Sequence, residues 1–238
     1  MPFRFFLFLV SVRHIFAGVS DIKAYIKFDG VSFAYENSPP IFEDFSLSLA
    51  GSDGVIVTGP VGSGKTTLAR LIVGSLKPQR GEIFIAGRPI NRLSYAGRAI
   101  LYSGWGIVSE RSALLDDRSV LDNITAAMKL STARVGRKRG DIENILRKCR
   151  MYSRRKARPS RLSQGEQRTL QIMMAIARNP IFLLWDDPDS FLDDERFEFA
   201  ISEIRRLNLA GSTVILTTSH PDRYAHLEWP IISIGREL

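Results

Sequence analysis

Eight consecutive residues, Gly59-Pro60-Val61-Gly62-Ser63-Gly64-Lys65-Thr66, carry the spacing G-x-x-x-x-G-K-S/T. Glycines at these intervals let a backbone wrap closely around phosphate groups, so that successive N–H groups and the start of a helix point at the anion. Lys65 is then expected to reach the β- and γ-phosphates of a nucleoside triphosphate such as ATP. The Thr66 hydroxyl is expected to hold Mg²⁺, and Thr67 completes the candidate binding positions. A bare pattern of this kind arises by chance in a chain of this length on the order of once in a hundred sequences. Its position between a strand pattern and a helix pattern makes chance a much poorer account.

A second group of acids lies downstream. The apolar run Ile181 to Trp185 leads into Asp186 and Asp187. A carboxylate at the end of a buried strand can hold a metal through water, which assigns Asp186 to Mg²⁺. Asp187 would project toward the γ-phosphate and polarise the attacking water. A plain acidic surface loop from Asp186 to Asp194 is the alternative, and the upstream phosphate loop argues against it. Between the two groups stands Leu162-Ser163-Gln164-Gly165-Glu166-Gln167. Ser163 with Glu166 three residues on reads as a capping box at the start of a helix.

Elements of the right kind flank these residues. Val55-Ile56-Val57-Thr58 is a β-branched run suited to a central strand, and Lys65 to Gly74 reads as a helix closed by Gly74 and Pro78. Alternation marks half-buried strands over Ile26 to Tyr35 and Phe45 to Leu49, with Asn37, Pro39 and Pro40 breaking the pattern between them. Glu82 to Ala86 reads as an edge strand. Val120 to Met151 is mostly helical, and Gln164 to Arg178 is an amphipathic helix. Ile181 to Trp185 is a buried parallel strand, Glu195 to Leu207 a helix, and Thr213 to Thr217 and Ile231 to Ile234 strands. Alternating strands and helices with a helical block in the middle give an α/β fold.

The chain has 238 residues, 45% of them hydrophobic and 24% charged, which fits one globular domain with room for an inserted subdomain. Cys149 is the single cysteine, so no intrachain disulfide forms and a reducing, cytoplasmic setting fits. The net charge of +8 is concentrated: Lys129 to Arg161 holds thirteen Lys and Arg against Asp141 and Glu143. A basic arm on a mildly acidic body points to an anionic neighbour, such as acidic headgroups, an acidic partner or nucleic acid, or else to a solvated arm. Phe5 to Val12 is apolar but far short of the ~20 residues that span a bilayer. Residues 1–25 are therefore read as a poorly ordered or membrane-touching extension, or as a start codon placed too early, with the domain covering 26–238.

The Leu162–Gln167 stretch resembles the LSGGQ signature of ABC ATPases, and the family's other marks follow in order. The resemblance implies a P-loop NTPase fold of the ABC ATPase type: a RecA-like core, an antiparallel β subdomain and a small helical subdomain over about 111–178. It also implies ATP-driven head-to-tail dimerisation with a second copy or a paired subunit. In that arrangement Ser163, Gln164, Gly165 and Glu166 close on the nucleotide held by the other protomer. Tyr35 stands where the family stacks an aromatic on adenine, with a core-facing tyrosine as the alternative. Asp186 to Asp193 looks like the Walker B strand end running into the D-loop, and His220 matches the switch histidine.

Two departures bear on mechanism. Asp187 replaces the usual glutamate, which implies slow hydrolysis. Aligning Leu114 to Ile124 with the family puts Glu110 where a glutamine normally contacts Mg²⁺ and water. The same stretch is similar to the subgroup holding the cell-division ATPase FtsE and the lipoprotein-release and macrolide-efflux cassettes. That implies an integral-membrane partner, a permease or FtsX-like protein, and a peripheral place on the cytoplasmic face of the inner membrane. The resemblance also puts the Lys129–Arg161 arm near the face that docks such a partner, so charge reversal at Arg154 and Arg155 is expected to weaken membrane association. A regulatory clamp with negligible turnover, and a soluble nucleic-acid-associated ATPase, are the competing readings.

Overall fold

In the computed structural model the described residues are 25–109, 113–130, 139–188 and 191–235. Two sheets and three apolar clusters organise them. The first sheet is antiparallel, in the order β2-β1-β4-β5, formed by β1 (Ile26–Ala34), β2 (Pro40–Leu49), β4 (Arg80–Ile85) and β5 (Arg88–Pro89). The second is parallel, in the order β6-β7-β8-β3-β9. Its strands are β3 (Gly54–Thr58), β6 (Trp105–Val108), β7 (Phe182–Asp186), β8 (Thr213–Thr218) and β9 (Ile231–Ser233).

Alternation along the buried parallel strands sorts their side chains between two layers. Val55, Val57, Phe182, Leu184 and Ile215 face a cluster shared with the antiparallel sheet and with Leu68, Leu71 and Ile72 of α1 (Lys65–Ile72). Ile56, Leu183, Trp185, Val214 and Leu216 face the opposite way, onto α5 (Gln164–Ala177) and α6 (Asp194–Leu209). Continuous apolar strands are what a sheet covered on both faces requires.

The third cluster belongs to the helical block. Val120 and Ile124 of α3 (Val120–Lys129), Ile142 and Leu146 of α4 (Arg139–Lys148), and Cys149 and Met151 pack against Leu170, Met173 and Ala177 of α5. Helix α5 therefore faces two cores, offering Ile172 and Ile176 to the sheet and Leu170 and Met173 to the block. Cys149 is part of this packing: burial pushes its thiol up to about 11, and its sulfur lies 3.4 Å from that of Met173.

Two expectations need correction, and two elements were not foreseen. Strand β2 begins at Pro40, because proline is tolerated at the first residue of a strand. The Glu82–Ala86 segment is no edge: β4 lies between β1 and the two-residue β5. Helix α2 (Tyr95–Ser103) and β6 have no counterpart in the sequence reading; α2 buries no residue fully, and β6 is four residues long with a glycine inside it. Of the expected extension, residues 1–24 lie outside the described residues. Tyr25 is integrated: its amide donates to Leu49 O at 2.7 Å, and its hydroxyl accepts from the Trp105 indole at 3.1 Å.

Candidate nucleotide site

Strand register puts the candidate residues together. In the parallel sheet Thr58 of β3 is level with Thr218 of β8, and Thr217 of β8 is level with Asp186 of β7. The 59–66 loop, the Asp186-Asp187 step and the Ser219-His220 step thus leave the carboxyl ends of three adjacent strands at one height. The crevice beyond such strand ends is where open α/β sheets take ligands. Edge strand β6 ends at Val108, level with Trp185, so the chain toward Glu110 leaves from the same end. Glu110 itself lies outside the described residues.

Within the loop, Gly64 is the residue before α1 and has φ +101°, where a Cβ would also stand 2.4 Å from the Ile41 side chain. Only glycine meets both demands. Pro60, Val61 and Gly62 are exposed on the loop's outer arc. The Lys65 ammonium curls over the loop and donates to Gly59 O at 2.6 Å and Pro60 O at 2.9 Å. Burial pulls its pKa down, while the charges of Asp187 and Asp186 oppose that shift. Ser63 Oγ is buried with no hydrogen-bond partner, an unmet polar atom in the wall of the loop. Thr66 is exposed at the second position of α1, and Thr67 is buried one residue further.

Asp186 is buried, and Thr217 Oγ1 donates to its Oδ1 at 2.5 Å. Asp187 has φ +54°, a left-handed conformation that a non-glycine residue holds only when its surroundings enforce it. Its amide donates to Thr217 O at 3.1 Å, and Arg168 Nη2 donates to the carbonyls of both Asp186 and Asp187 at 2.8 Å. Arg168, 5% exposed, was missed by the sequence reading. The available signal was an arginine in line with Ile172 on the apolar side of its helix. His220 is exposed, with its amide on Thr218 Oγ1 at 2.9 Å.

Tyr35 is 36% exposed, which rules out the core-facing alternative. Its ring stands edge-on to Phe33, and its hydroxyl lies 3.2 Å from Thr67 Oγ1 and 3.3 Å from Arg70 Nη1. The tyrosine is thereby fixed against α1 beside the phosphate loop.

Ser163 and Glu166 form the expected capping box: Glu166 N donates to Ser163 Oγ at 3.2 Å, and Ser163 N to Glu166 Oε2 at 2.9 Å. As a cap the Ser163 oxygen accepts, which leaves its O–H proton for a ligand. Gln164 is exposed next to it. A Cβ on Gly165 would stand 2.6 Å from Phe191 O, so the backbone at Phe191 lies directly against the start of α5.

The sequence profile of ABC transporters matches residues 42–190, a span that holds the phosphate loop, the Ser163 turn and Asp186-Asp187. The chain belongs to the ABC transporter ATP-binding family. Its fold is that of the family's ATPase cassettes, and this cassette is an ATP-binding subunit of a transporter-type system. The cell division ATP-binding protein FtsE of Escherichia coli K12 is 31% identical over 193 residues, 81% of this chain and 87% of that one. The lipoprotein-releasing system ATP-binding protein LolD of Xanthomonas campestris pv. campestris is 31% identical over 182 residues, 76% of each chain. Among solved structures, a dimeric ATP-binding cassette in a post-hydrolysis state bound to ADP and Pi superposes with a TM-score of 0.75 at 25% identity. It covers 88% of this cassette and 94% of its own chain.

Proposed function

We propose that this cassette binds ATP with Mg²⁺ at Gly59 to Thr67 and closes head-to-tail on a second copy or paired subunit. It then hydrolyses ATP slowly, passing the closure to a separate integral-membrane partner at the cytoplasmic face of the inner membrane. One observation carries the reading: register alone brings the 59–66 loop, the two carboxylates of Asp186 and Asp187, and His220 to one rim.

A magnesium ion fits the donors present. Among the described residues no cluster of three His, Cys, Asp or Glu exists, so a cation here depends on phosphate oxygens. Thr66 and Asp186 offer hard oxygen donors of the kind Mg²⁺ takes, and Glu110 is a further candidate. When bound, the ion neutralises charge on the phosphate oxygens. The chain's own groups do the rest. Lys65 leaves the Gly59 and Pro60 carbonyls for the β- and γ-phosphates, the Ser63 hydroxyl gains a partner, and Tyr35 stacks on adenine. Asp187 orients the attacking water and His220 monitors the γ-phosphate. Ser163 and the Gly165 amide donate to the nucleotide across the dimer, with Gln164 and Glu166 lining that contact.

Asp187 is shorter than glutamate by one methylene, which withdraws the carboxylate by about an ångström. A displacement of that size at a reacting centre costs on the order of a hundredfold. Asp187→Glu should therefore raise steady-state phosphate release by up to about a hundredfold while leaving ATP affinity unchanged. A variant no faster than the parent contradicts the assignment. FtsE and LolD, the similar proteins, are named for cell division and lipoprotein release, which supports a membrane-linked role. No helix among the described residues is long and apolar enough to cross a membrane, consistent with a separate membrane partner.

A further inference from the structure

The basic arm is expected to face something anionic, yet several of its charges are engaged within the chain. Arg147 and Arg155 both stand over the ring of Tyr152, their guanidinium carbons 3.7 and 4.3 Å from its centre. Arg150 pairs with Glu195 of α6 at 2.8 Å. Arg154 Nε donates to Glu166 Oε1 at 3.0 Å, and the other oxygen of that carboxylate is the one holding the Ser163 amide. A capping box needs one carboxylate oxygen; here the second is gripped from the arm.

Arg154 stands on a fixed base. Its own amide donates to the carbonyl of the buried Met151 at 3.0 Å. The neighbouring carbonyls of Arg155 and Ala157 accept from Leu121 and Val120 at the start of α3, at 3.0 and 2.9 Å. The link therefore runs from the core of the helical block, through one guanidinium and one carboxylate, to Ser163. It differs from an ordinary surface pair, because the Glu166 side chain is only 12% exposed.

We infer that Arg154 is a positioning residue for the Ser163 turn: through Glu166 it holds Ser163 where it meets the nucleotide carried by a second copy. This rests on the head-to-tail closure proposed above. It also means that charge reversal at Arg154 and Arg155 disturbs contacts inside the chain, so it is a poor probe of membrane binding.

The effect at one Ser163 turn is set at about threefold by the worth of a partly exposed pair. A head-to-tail dimer has two such turns, so the dimer dissociation constant should rise about tenfold. The test uses the full chain in an Asp187→Asn background with Mg·ATP. Sedimentation reads dimerisation, and a fluorescent ATP analogue at low protein concentration reads the affinity of the monomer. Arg154→Ala should weaken dimerisation about tenfold with monomer affinity unchanged, and Arg154→Lys should recover most of the loss. Lys156→Ala, a neighbouring charge, should change neither reading. Thermal midpoints of all variants exclude misfolding as the cause. If Arg154→Ala closes as tightly as its background, or Lys156→Ala weakens closure equally, the positioning role is overturned. If the background protein binds the analogue but never dimerises, the closure reading falls as well, which distinguishes the two failures.

Discussion

The phosphate loop and the Ser163 turn are held in place by different means. The loop is suspended between β3 and α1, and its neighbours at Asp186 and Thr217 are fixed by a continuous parallel ladder in which every residue of β7 and β8 is buried. The Ser163 turn has no ladder. It depends on its own cap, on Glu166 and Arg154, and on a helix divided between two cores. Backbone pairing is cooperative and resists local change, whereas a position maintained by a few side chains can be shifted by losing one of them. The half proposed to grip the nucleotide is thus preformed, and the half proposed to meet a second protomer is adjustable.

The most severe way to break this comparison is Lys65→Ala. It removes the proposed charge-assisted donor to the phosphates, worth about 3 kcal/mol, so ATP affinity should fall by at least about a hundredfold. Because the ladder holds the loop, the thermal midpoint should stay within a few degrees of the parent's. Calorimetric titration with a melting curve checks both.

Arg168→Ala strikes a side chain that joins the two regions, since it runs from α5 to the carbonyls of Asp186 and Asp187. Losing a buried charged donor from two carbonyls should cost about 2–3 kcal/mol, a drop of about 5–10 °C in a domain of this size. A midpoint unchanged in differential scanning calorimetry would show that the clamp does not matter.

Tyr35→Phe and Tyr35→Ala sharpen the description of the preformed half. Stacking resides in the ring, so the alanine variant should lose about fivefold in ATP affinity, about 1 kcal/mol, and the phenylalanine variant almost none. Equal losses would transfer the role to the hydroxyl and its contact with Thr67.

The smallest effect is a pH dependence of the adjustable half. Burial opposes ionisation of Glu166, but the Ser163 amide and the Arg154 guanidinium, with the charge of Arg196 from α6, outweigh it and hold its pKa below the ordinary value. A depressed carboxyl contributes stability that is full above its unfolded pKa and lost as pH falls through its folded pKa. The gap in thermal midpoint between parent and Arg154→Ala should therefore be widest near neutrality and close in the acid carboxylate range. A gap independent of pH would mean that the pair does not couple to folding.

Much of the preformed half was legible because its signals are local. The glycine spacing before Lys65, the β-branched run of β3 and the apolar run ending at Asp186 each report a backbone requirement met within a few residues. Elements whose form depends on distant neighbours were misread or missed. Whether the alternating β4 is an edge or an interior strand depends on what pairs beside it. Strand β6, with four residues and an internal glycine, persists only because β7 supplies its partner.

The sequence by itself determined the phosphate loop, the carboxylate pair, the capping box and an α/β order of elements, because each is written in residue types at short, fixed spacing. Tertiary structure alone decided that Arg168 clamps Asp187 in a left-handed turn, that Thr217 holds Asp186, and that Arg154 reaches Ser163 through Glu166. Those contacts join residues 12 to 31 positions apart. No local propensity encodes them: they exist only once the sheet register and the two-sided packing of α5 have brought separate segments within hydrogen-bonding distance.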